Sequence, residues 1–411
     1  MSVGRGPAAH DVGFAWKADN KAALTGINPN SADSAQNRRV ELARLSRKTK
    51  RSSGRSTEDL LRVSLLACAM LAGAVPIYQF IGSMIWFHQY LGDYQVFWGI
   101  TKVPLAHIYD HHVFAYPPTT MLLLAPFGLP SFFPSLVAWS VAGAAAITCS
   151  AMRFMRPLAI TLGFLTYALI GVLLGGQISL FVGALVMAAL GTSRPRLQGV
   201  LLAIAAVIKP QSLLAAPIAL IAERNWKAIG WAAAAGCGFA LLSMVLFGTD
   251  IWLRWFTELP QFHAYLISCG VDRLDVGIYG LARSMGLPGW TFLLGAPLGI
   301  VTSWLVFHSE ASVLDRYAAF AVSTVLMSPY TLYYDLAGLT FVCVALLLDR
   351  ERSPLIWLAA AMVVSSVFAS LGIGLLAMML SLDALRRSNT PPVANDEPNH
   401  PEGNPAPLHA M

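Results

Sequence analysis

A chain of 411 residues that is 56% hydrophobic and only 12% charged cannot cover the surface of a water-soluble globule, which needs about 25% charged residues. Its mean hydropathy of +0.59 points to a polytopic membrane protein. The net charge of +6 is concentrated in Arg38, Arg39, Arg44, Arg47, Lys48, Lys50, Arg51 and Arg55, which on a span's flank read as a positive-inside anchor meeting anionic lipid rather than nucleic acid.

The composition divides the chain into a basic, polar stretch (1–59), an apolar body (60–387) and a Pro-rich polar tail (388–411), with both polar ends expected to be cytoplasmic and disordered. No apolar core of signal-peptide length occurs in the first 37 residues, so a cleaved signal is not expected. The five cysteines are scattered and show neither disulfide nor metal spacing.

The first apolar segment, Leu60–Phe87, is long enough to span. Its basic flank places its start inside, so the following stretch, Gly92–Asp93–Tyr94 onward to Tyr116–Pro117–Pro118, lies outside. That loop carries Trp98, His107, Tyr109, Asp110, His111, His112 and Phe114 beside Asp93. The closeness of the three histidines does not suggest a metal site, and no metal or other cofactor is demanded anywhere in the chain. Pro117–Pro118 opens a short apolar piece to Phe127, expected as a half-helix. Pro134–Met152 runs inward to Arg153 and Arg156. Leu158–Leu174 runs outward, Gly175–Gly176–Gln177 turns the chain, and Ile178–Leu190 returns to Arg194 and Arg196.

Leu197–Ile208 and Ser212–Ala222 flank Lys209–Pro210–Gln211. Basic residues at both outer ends (Arg194, Arg196, Arg224, Lys227) predict a hairpin with Lys209 at its tip; the rival is one long span kinked at Pro210. Each half is too short for about 30 Å of hydrocarbon, so polar backbone at the tip needs protein or a water-filled cavity beside it. Ala228–Phe247 runs outward to an expected loop over 248–288, containing Asp250, Arg254, Glu258, His263, Asp272, Arg273, Asp275 and Arg283. Trp290–Phe307, Val313–Met327, Leu336–Leu348, Leu355–Ser370 and Leu371–Leu385 complete an all-α fold of roughly twelve membrane segments, several of them short.

Three polar clusters face outward in this topology: Asp93 with its loop, Lys209–Gln211, and Tyr330–Asp335. Charges retained in spans pair or line a functional cavity. A carboxylate just outside a span suits a base acting on a lipid-borne substrate; the alternatives are an ordinary aromatic interfacial loop or an N-cap. Lys209 suits a phosphate contact or a structural pairing with Asp335. Asp335 suits a sugar hydroxyl or an N-cap for Leu336–Leu348. Gln177 suits a ligand hydrogen bond or a turn. No Gly-rich phosphate loop, nucleophile elbow or HExxH occurs, against a nucleotide-driven pump or a soluble-type hydrolase.

Gly92–Asp93–Tyr94, Tyr116–Pro117–Pro118, Gly176–Gln177–Ile178–Ser179, Lys209–Pro210–Gln211, and Ser328–Pro329–Tyr330 with Tyr334–Asp335 follow one another in an order that resembles glycosyltransferase family 87. That membrane family includes polyprenol-phosphate-mannose-dependent mannosyltransferases, and the resemblance covers about Leu60 to Arg387. It implies a GT-C type fold with an outer-face cavity, a polyprenyl-phosphate sugar donor, a lipid or glycan acceptor, and inverting transfer with Asp93 as general base. Substrate contacts are implied at Tyr94, Tyr116, Gln177, Lys209, Gln211, Tyr330, Tyr334 and Asp335. Lys209, or Arg273 of the outer loop, would meet the leaving phosphate. The mannosyltransferases carry a His in the last motif where this chain has Tyr330, Tyr333 and Tyr334, so the sugar is left open between a mannose-like hexose and a pentose. The implied protein sits in the inner (plasma) membrane among its lipids and binds no nucleic acid. A transporter or lipid-linked sugar flippase is the alternative from another class; it requires polar clusters on both sides and two related halves. A non-catalytic scaffold would not need Asp93, Lys209 and Asp335 to converge.

Overall fold

The computed structural model describes residues 56–75, 77–78, 81–82, 92–110, 113–268 and 275–389. The regular structure among them is helical, with one isolated antiparallel bridge between Asp275 and Leu332. The helices are α1 (56–75), α2 (Gly92–Ile100), α3 (Thr120–Gly128), α4 (Phe132–Ala151), α5 (Pro157–Phe164), α6 (Tyr167–Gly175), α7 (Ser179–Leu190), α8 (Pro195–Ile208), α9 (Ala216–Ala222), α10 (Trp226–Phe247), α11 (Asp250–Ser268), α12 (Ile278–Ser284), α13 (Gly295–His308), α14 (Val313–Met327), α15 (Ala337–Leu348), α16 (Pro354–Ser365) and α17 (Ala369–Asn389). The contacts discussed below lie within the unit Arg62–Met411. The basic run Arg38–Arg55, Cys269, His111, His112, Arg273 and the Pro-rich tail lie outside the described residues.

By length and apolarity α4, α10 and α17 can each cross a membrane, and the α5–α6 pair, bent by 64°, makes a fourth if taken as one span. Most of the other expected segments are apolar helices of 10–17 residues. The buried core is centred on α7, α14, α15 and α16, whose aliphatic side chains are almost wholly enclosed. By contrast only 6% of the apolar window of α10 is buried. That helix is apolar all round and meets its neighbours on a narrow face, as a peripheral helix facing lipid does.

The Lys209 segment is a hairpin. The start of α8 and the end of α9 meet again, where Asn225 Nδ2 donates to Gln198 Oε1 at 2.7 Å. The 14 residues of α8 rise about 21 Å at 1.5 Å per residue, short of the hydrocarbon thickness. A 3-10 turn, Pro210–Leu213, closes the tip. α8 crosses α10 at Gly199, where a Cβ would lie 2.3 Å from the Ala228 carbonyl oxygen and 2.8 Å from the Ala232 nitrogen. Both obstacles are backbone and cannot turn aside. Gly199→Ala is therefore expected to lower stability by about 1–3 kcal/mol through overpacking; an unaltered thermal unfolding midpoint in detergent would contradict this crossing.

Two expectations need correction. Leu158–Leu174 is not one continuous helix: it breaks at Leu165–Thr166, where the Thr166 hydroxyl caps the Gly163 carbonyl at 2.7 Å. Such side-chain bonds are how a helix break is tolerated at membrane depth. The stretch expected as an outer loop begins instead with the 19-residue helix α11, whose Ile251, Trp255 and Glu258 are buried. Positions 251, 255 and 258 share one helical face, and that face docks on the stretch between α2 and α3, with Trp255 Nε1 donating to the Ala115 carbonyl at 2.9 Å.

Candidate active site

Asp93 is the second residue of α2, where the helix dipole favours a carboxylate. Tyr94, Phe97 and Ile100 form the buried face of this helix. Phe97 meets Tyr116 edge-on at 5.3 Å and Trp139 at 5.9 Å between ring centroids, and Tyr94 meets Trp139 at 5.7 Å. These contacts hold α2 by its apolar side and leave Asp93 on the open side. The side chain of Tyr94 turns the other way: it is buried, and its hydroxyl bonds Ser135 Oγ.

The second wall is the turn after α6. Gly176 has φ +62, and a Cβ there would lie 2.4 Å from Tyr94 Cβ. Glycine therefore meets both the left-handed backbone and the close approach to α2. Trp139 Nε1 donates to the Gly176 carbonyl at 2.9 Å and fixes the turn. The turn delivers Gln177, whose Nε2 donates to Asp93 Oδ2. Gln177 Oε1 is buried with no hydrogen-bond partner among the described residues.

The third wall is the hairpin tip. Thr119 Oγ1 donates to the Val207 carbonyl, and Thr120 Oγ1 to that of Ile208 at 3.1 Å, so the start of α3 grips the end of α8. Lys209, which follows, is buried and paired with Asp335 Oδ1; its Nζ also lies 5.4 Å from the Tyr334 ring centroid. The structural pairing left open above is thus present. Asp335 also accepts from Ser179 Oγ at 3.1 Å and, through Oδ2, from the Leu332 N–H at 3.3 Å. It caps the local 3-10 turn Tyr333–Leu336 and at the same time holds the lysine.

The three groups share one electrostatic environment. Asp93 is open to solvent on one side and walled by protein on the others. Burial pushes its carboxyl up to about 6; Lys209 draws it down, Asp335 pushes it up and the Gln177 hydrogen bond draws it down. Tyr116 and Tyr330 belong to the same cluster. Burial raises both phenols, and the carboxylate of Asp335 raises them further. Tyr330 is also hydrogen-bonded to Gln211. Below Asp335, between α7, α14 and α15, runs a cavity of about 60 Å³ lined by Ser179, Gln211, Thr324, Ser328, Tyr330 and Thr331 among others.

Asp275 completes the wall, and sequence reasoning gave it no role. Its Oδ1 accepts from the N–H groups of Gly277 at 2.6 Å and Gly280 at 3.3 Å, and its Oδ2 from Thr331 at 3.0 Å. It fastens the start of α12 to the Tyr330–Asp335 loop. Burial pushes its carboxyl up to about 6 against those hydrogen bonds. The available signal was local: an Asp two residues before a Gly is an Asx-turn pattern. Ser179 was part of a quoted motif, but its bond to Asp335 could not be read from spacing. His107 pairs with Asp110 at 2.6 Å on the surface. Among the described residues no group of three His, Cys, Asp or Glu side chains could hold a metal.

A bundle of apolar helices that gathers a buried Lys–Asp pair, a carboxylate and several phenols at one end belongs to the integral membrane proteins with a polar site at the end of the bundle. Residues 114–329 match glycosyltransferase family 87, and the chain belongs to that family: it is a membrane glycosyltransferase. The match includes Tyr116, Gln177, Lys209 and Gln211 and leaves Asp93 and Asp335 outside its limits. No match was found among curated proteins or among solved structures.

Proposed function

We propose that this glycosyltransferase has a GT-C type fold and moves a mannose-like hexose or a pentose from a polyprenyl-phosphate donor to a lipid or glycan acceptor on the outer face of the plasma membrane, with inversion. The observation that carries the reading is the meeting of Asp93, Gln177, Lys209 and Asp335, four groups from four separate segments, at one end of the bundle.

The reaction follows from that geometry. Asp93 takes the proton of the acceptor hydroxyl. The hydroxyl oxygen bonds to the anomeric carbon as the bond from that carbon to the phosphate oxygen breaks. The electron pair leaves with the polyprenyl phosphate from the opposite face. Gln177 occupies Oδ2 and leaves Oδ1 as the proton acceptor. Lys209 would offset charge developing on the phosphate. Tyr116, Tyr330, Tyr334 and Gln211 offer hydrogen bonds to sugar hydroxyls. A lipid-borne donor needs no nucleotide-binding domain. The test uses the purified chain in proteoliposomes with labelled donors. Transfer from a polyprenyl-phosphate sugar, with inverted anomeric configuration in the product, is expected; transfer from nucleotide sugars alone, or with retention, would refute the reading.

The base must be ionised, so kcat/KM is expected to fall as pH drops through about 6. The Gln177 hydrogen bond lowers the Asp93 pKa. Gln177→Ala should therefore move this acid limb to higher pH, as a pH–rate profile would register. A limb that stays in place would remove Gln177 from contact with the base.

The transporter alternative gains one feature, a second polar cavity at the far end of the bundle. The helix joining the two ends, α7, reads SLFVGALVMAAL and offers no polar side chain beyond Ser179 along which a hydrophilic cargo would pass.

A further inference from the structure

The far end of the bundle holds a cavity of about 720 Å³ between three turns, those joining α7 to α8, α9 to α10 and α13 to α14. Its ionisable lining residues are Glu223, Arg224, His308, Glu310 and Arg316. It is remote from the candidate active site: α7 runs from Ser179, bonded to Asp335, to Leu190, which lines this cavity.

Arg224 has φ +55. It is the residue after the cap of α9, with its N–H bonded to the Ile221 carbonyl and that of Asn225 to the Leu220 carbonyl, each at 2.9 Å. This is the Schellman position, where glycine is favoured and a side chain is strained. The chain nevertheless carries an arginine there, exposed and without an ion-pair partner among the described residues. Arg316 Nη1 pairs with Glu223 Oε1 at 2.9 Å, and its side chain stays 31% exposed on the cavity wall. Gln198, also on the lining, bonds Glu223 on its other side. Glu223 is thus spent inside the wall. What remains for a ligand is the Arg224 guanidinium, the open side of the Arg316 guanidinium, and the carboxylate of Glu310.

The depth is also marked. Trp226 and Trp304 are exposed next to the cavity, and Trp304 stacks on His308 at 6.2 Å with the rings 11° apart. Exposed tryptophans of this kind sit at the membrane–water interface, level with lipid head groups. A lining with two arginines and two acids offers both signs, which fits a head group carrying both signs better than a bare anion.

We propose that this cavity binds the head group of a phospholipid bearing a primary ammonium, a phosphoethanolamine. The phosphate takes Arg224 and the open side of the Arg316 guanidinium, and the ammonium donates to Glu310. On the topology proposed above the lipid comes from the inner leaflet.

Short-chain phosphatidylethanolamine, phosphatidylglycerol and phosphatidylcholine, and inorganic phosphate, are titrated against the purified full chain in detergent while thermal unfolding is followed. Saturable stabilisation by phosphatidylethanolamine, exceeding that of the other three, is expected. Arg224→Gly relieves the left-handed strain, so it should unfold no earlier than wild type without lipid, while its apparent affinity for phosphatidylethanolamine drops at least about tenfold. Glu310→Gln should erase the preference over phosphatidylglycerol. Equal stabilisation by inorganic phosphate or phosphatidylglycerol, or an unchanged affinity in Arg224→Gly, overturns the proposal. Sugar transfer is not part of the readout, so the outcome is independent of the proposed reaction.

Discussion

Replacing Asp93 by Asn is expected to lower transfer by at least about 10²–10⁴-fold, the usual contribution of a positioned general base, with the protein folded and no less stable than wild type. The two halves of this result come from one cause. The folded carboxyl is pushed up from its ordinary 3.8 to about 6, chiefly because protein walls take water from it on every side but one. The folded state therefore holds this proton more tightly than the unfolded chain does. The group's contribution to stability grows as pH falls from about 6 towards 4, and above 6 the ionised carboxylate weighs against folding. A neutral Asn removes that burden. It also keeps an amide oxygen where Asp93 Oδ2 accepts from Gln177 Nε2, so the wall stays joined. Transfer and unfolding measured on the same preparation separate the outcomes: an inactive protein of normal or raised midpoint fits a base, whereas loss of both would make Asp93 a structural residue.

The second large effect is expected at Lys209. Lys209→Met leaves Asp335, only 12% exposed at its side chain, without its cation. Removing one partner of a buried pair costs about 3–5 kcal/mol, whereas replacing both with neutral groups is much milder. Lys209→Met combined with Asp335→Asn should therefore recover most of the lost stability. If Lys209 also meets the donor phosphate, kcat stays down by about 10²–10³-fold in the double variant, the usual cost of one stabilising donor. Recovery of transfer together with stability would reduce the lysine to a strut. The double-mutant cycle is informative because the lysine is already bonded to Asp335 in the fold, and a phosphate would have to share it.

Much of this site was legible because membrane proteins place few charges carelessly. Basic flanks at Arg194 and Arg224 indicated that both ends of the Lys209 segment lie on one side, and the Asn225–Gln198 bond joins those ends. Gly176 announced the turn that it makes. The pairing of Lys209 with Asp335 could be named, but not chosen over a phosphate contact, since spacing says nothing about which of two partners is nearer. Tyr94 lies on the opposite side of the helix for a geometric reason. It stands beside Asp93 in the sequence, but on a helix adjacent residues point about 100° apart, so a carboxylate on the open side sends its neighbour into the core. The break in α5–α6 had no proline to announce it. It follows a close approach, where a Cβ on Gly163 would lie 2.3 Å from the Phe341 ring, and such tertiary packing is invisible in one sequence. Helix α11 was hidden by its charges: Asp250, Arg254 and Glu258 read as loop, although Ile251 and Trp255 give it a buried face.

The measurement that bears most directly on the whole account is sugar transfer in membranes from a panel of polyprenyl-phosphate sugars, with wild type and Asp93→Asn side by side. Transfer from one donor that vanishes in the variant is the predicted result, and it would name the sugar as well as the base. Equal turnover in the two proteins, or no transfer from any lipid-phosphate donor while another donor class is used, would contradict it.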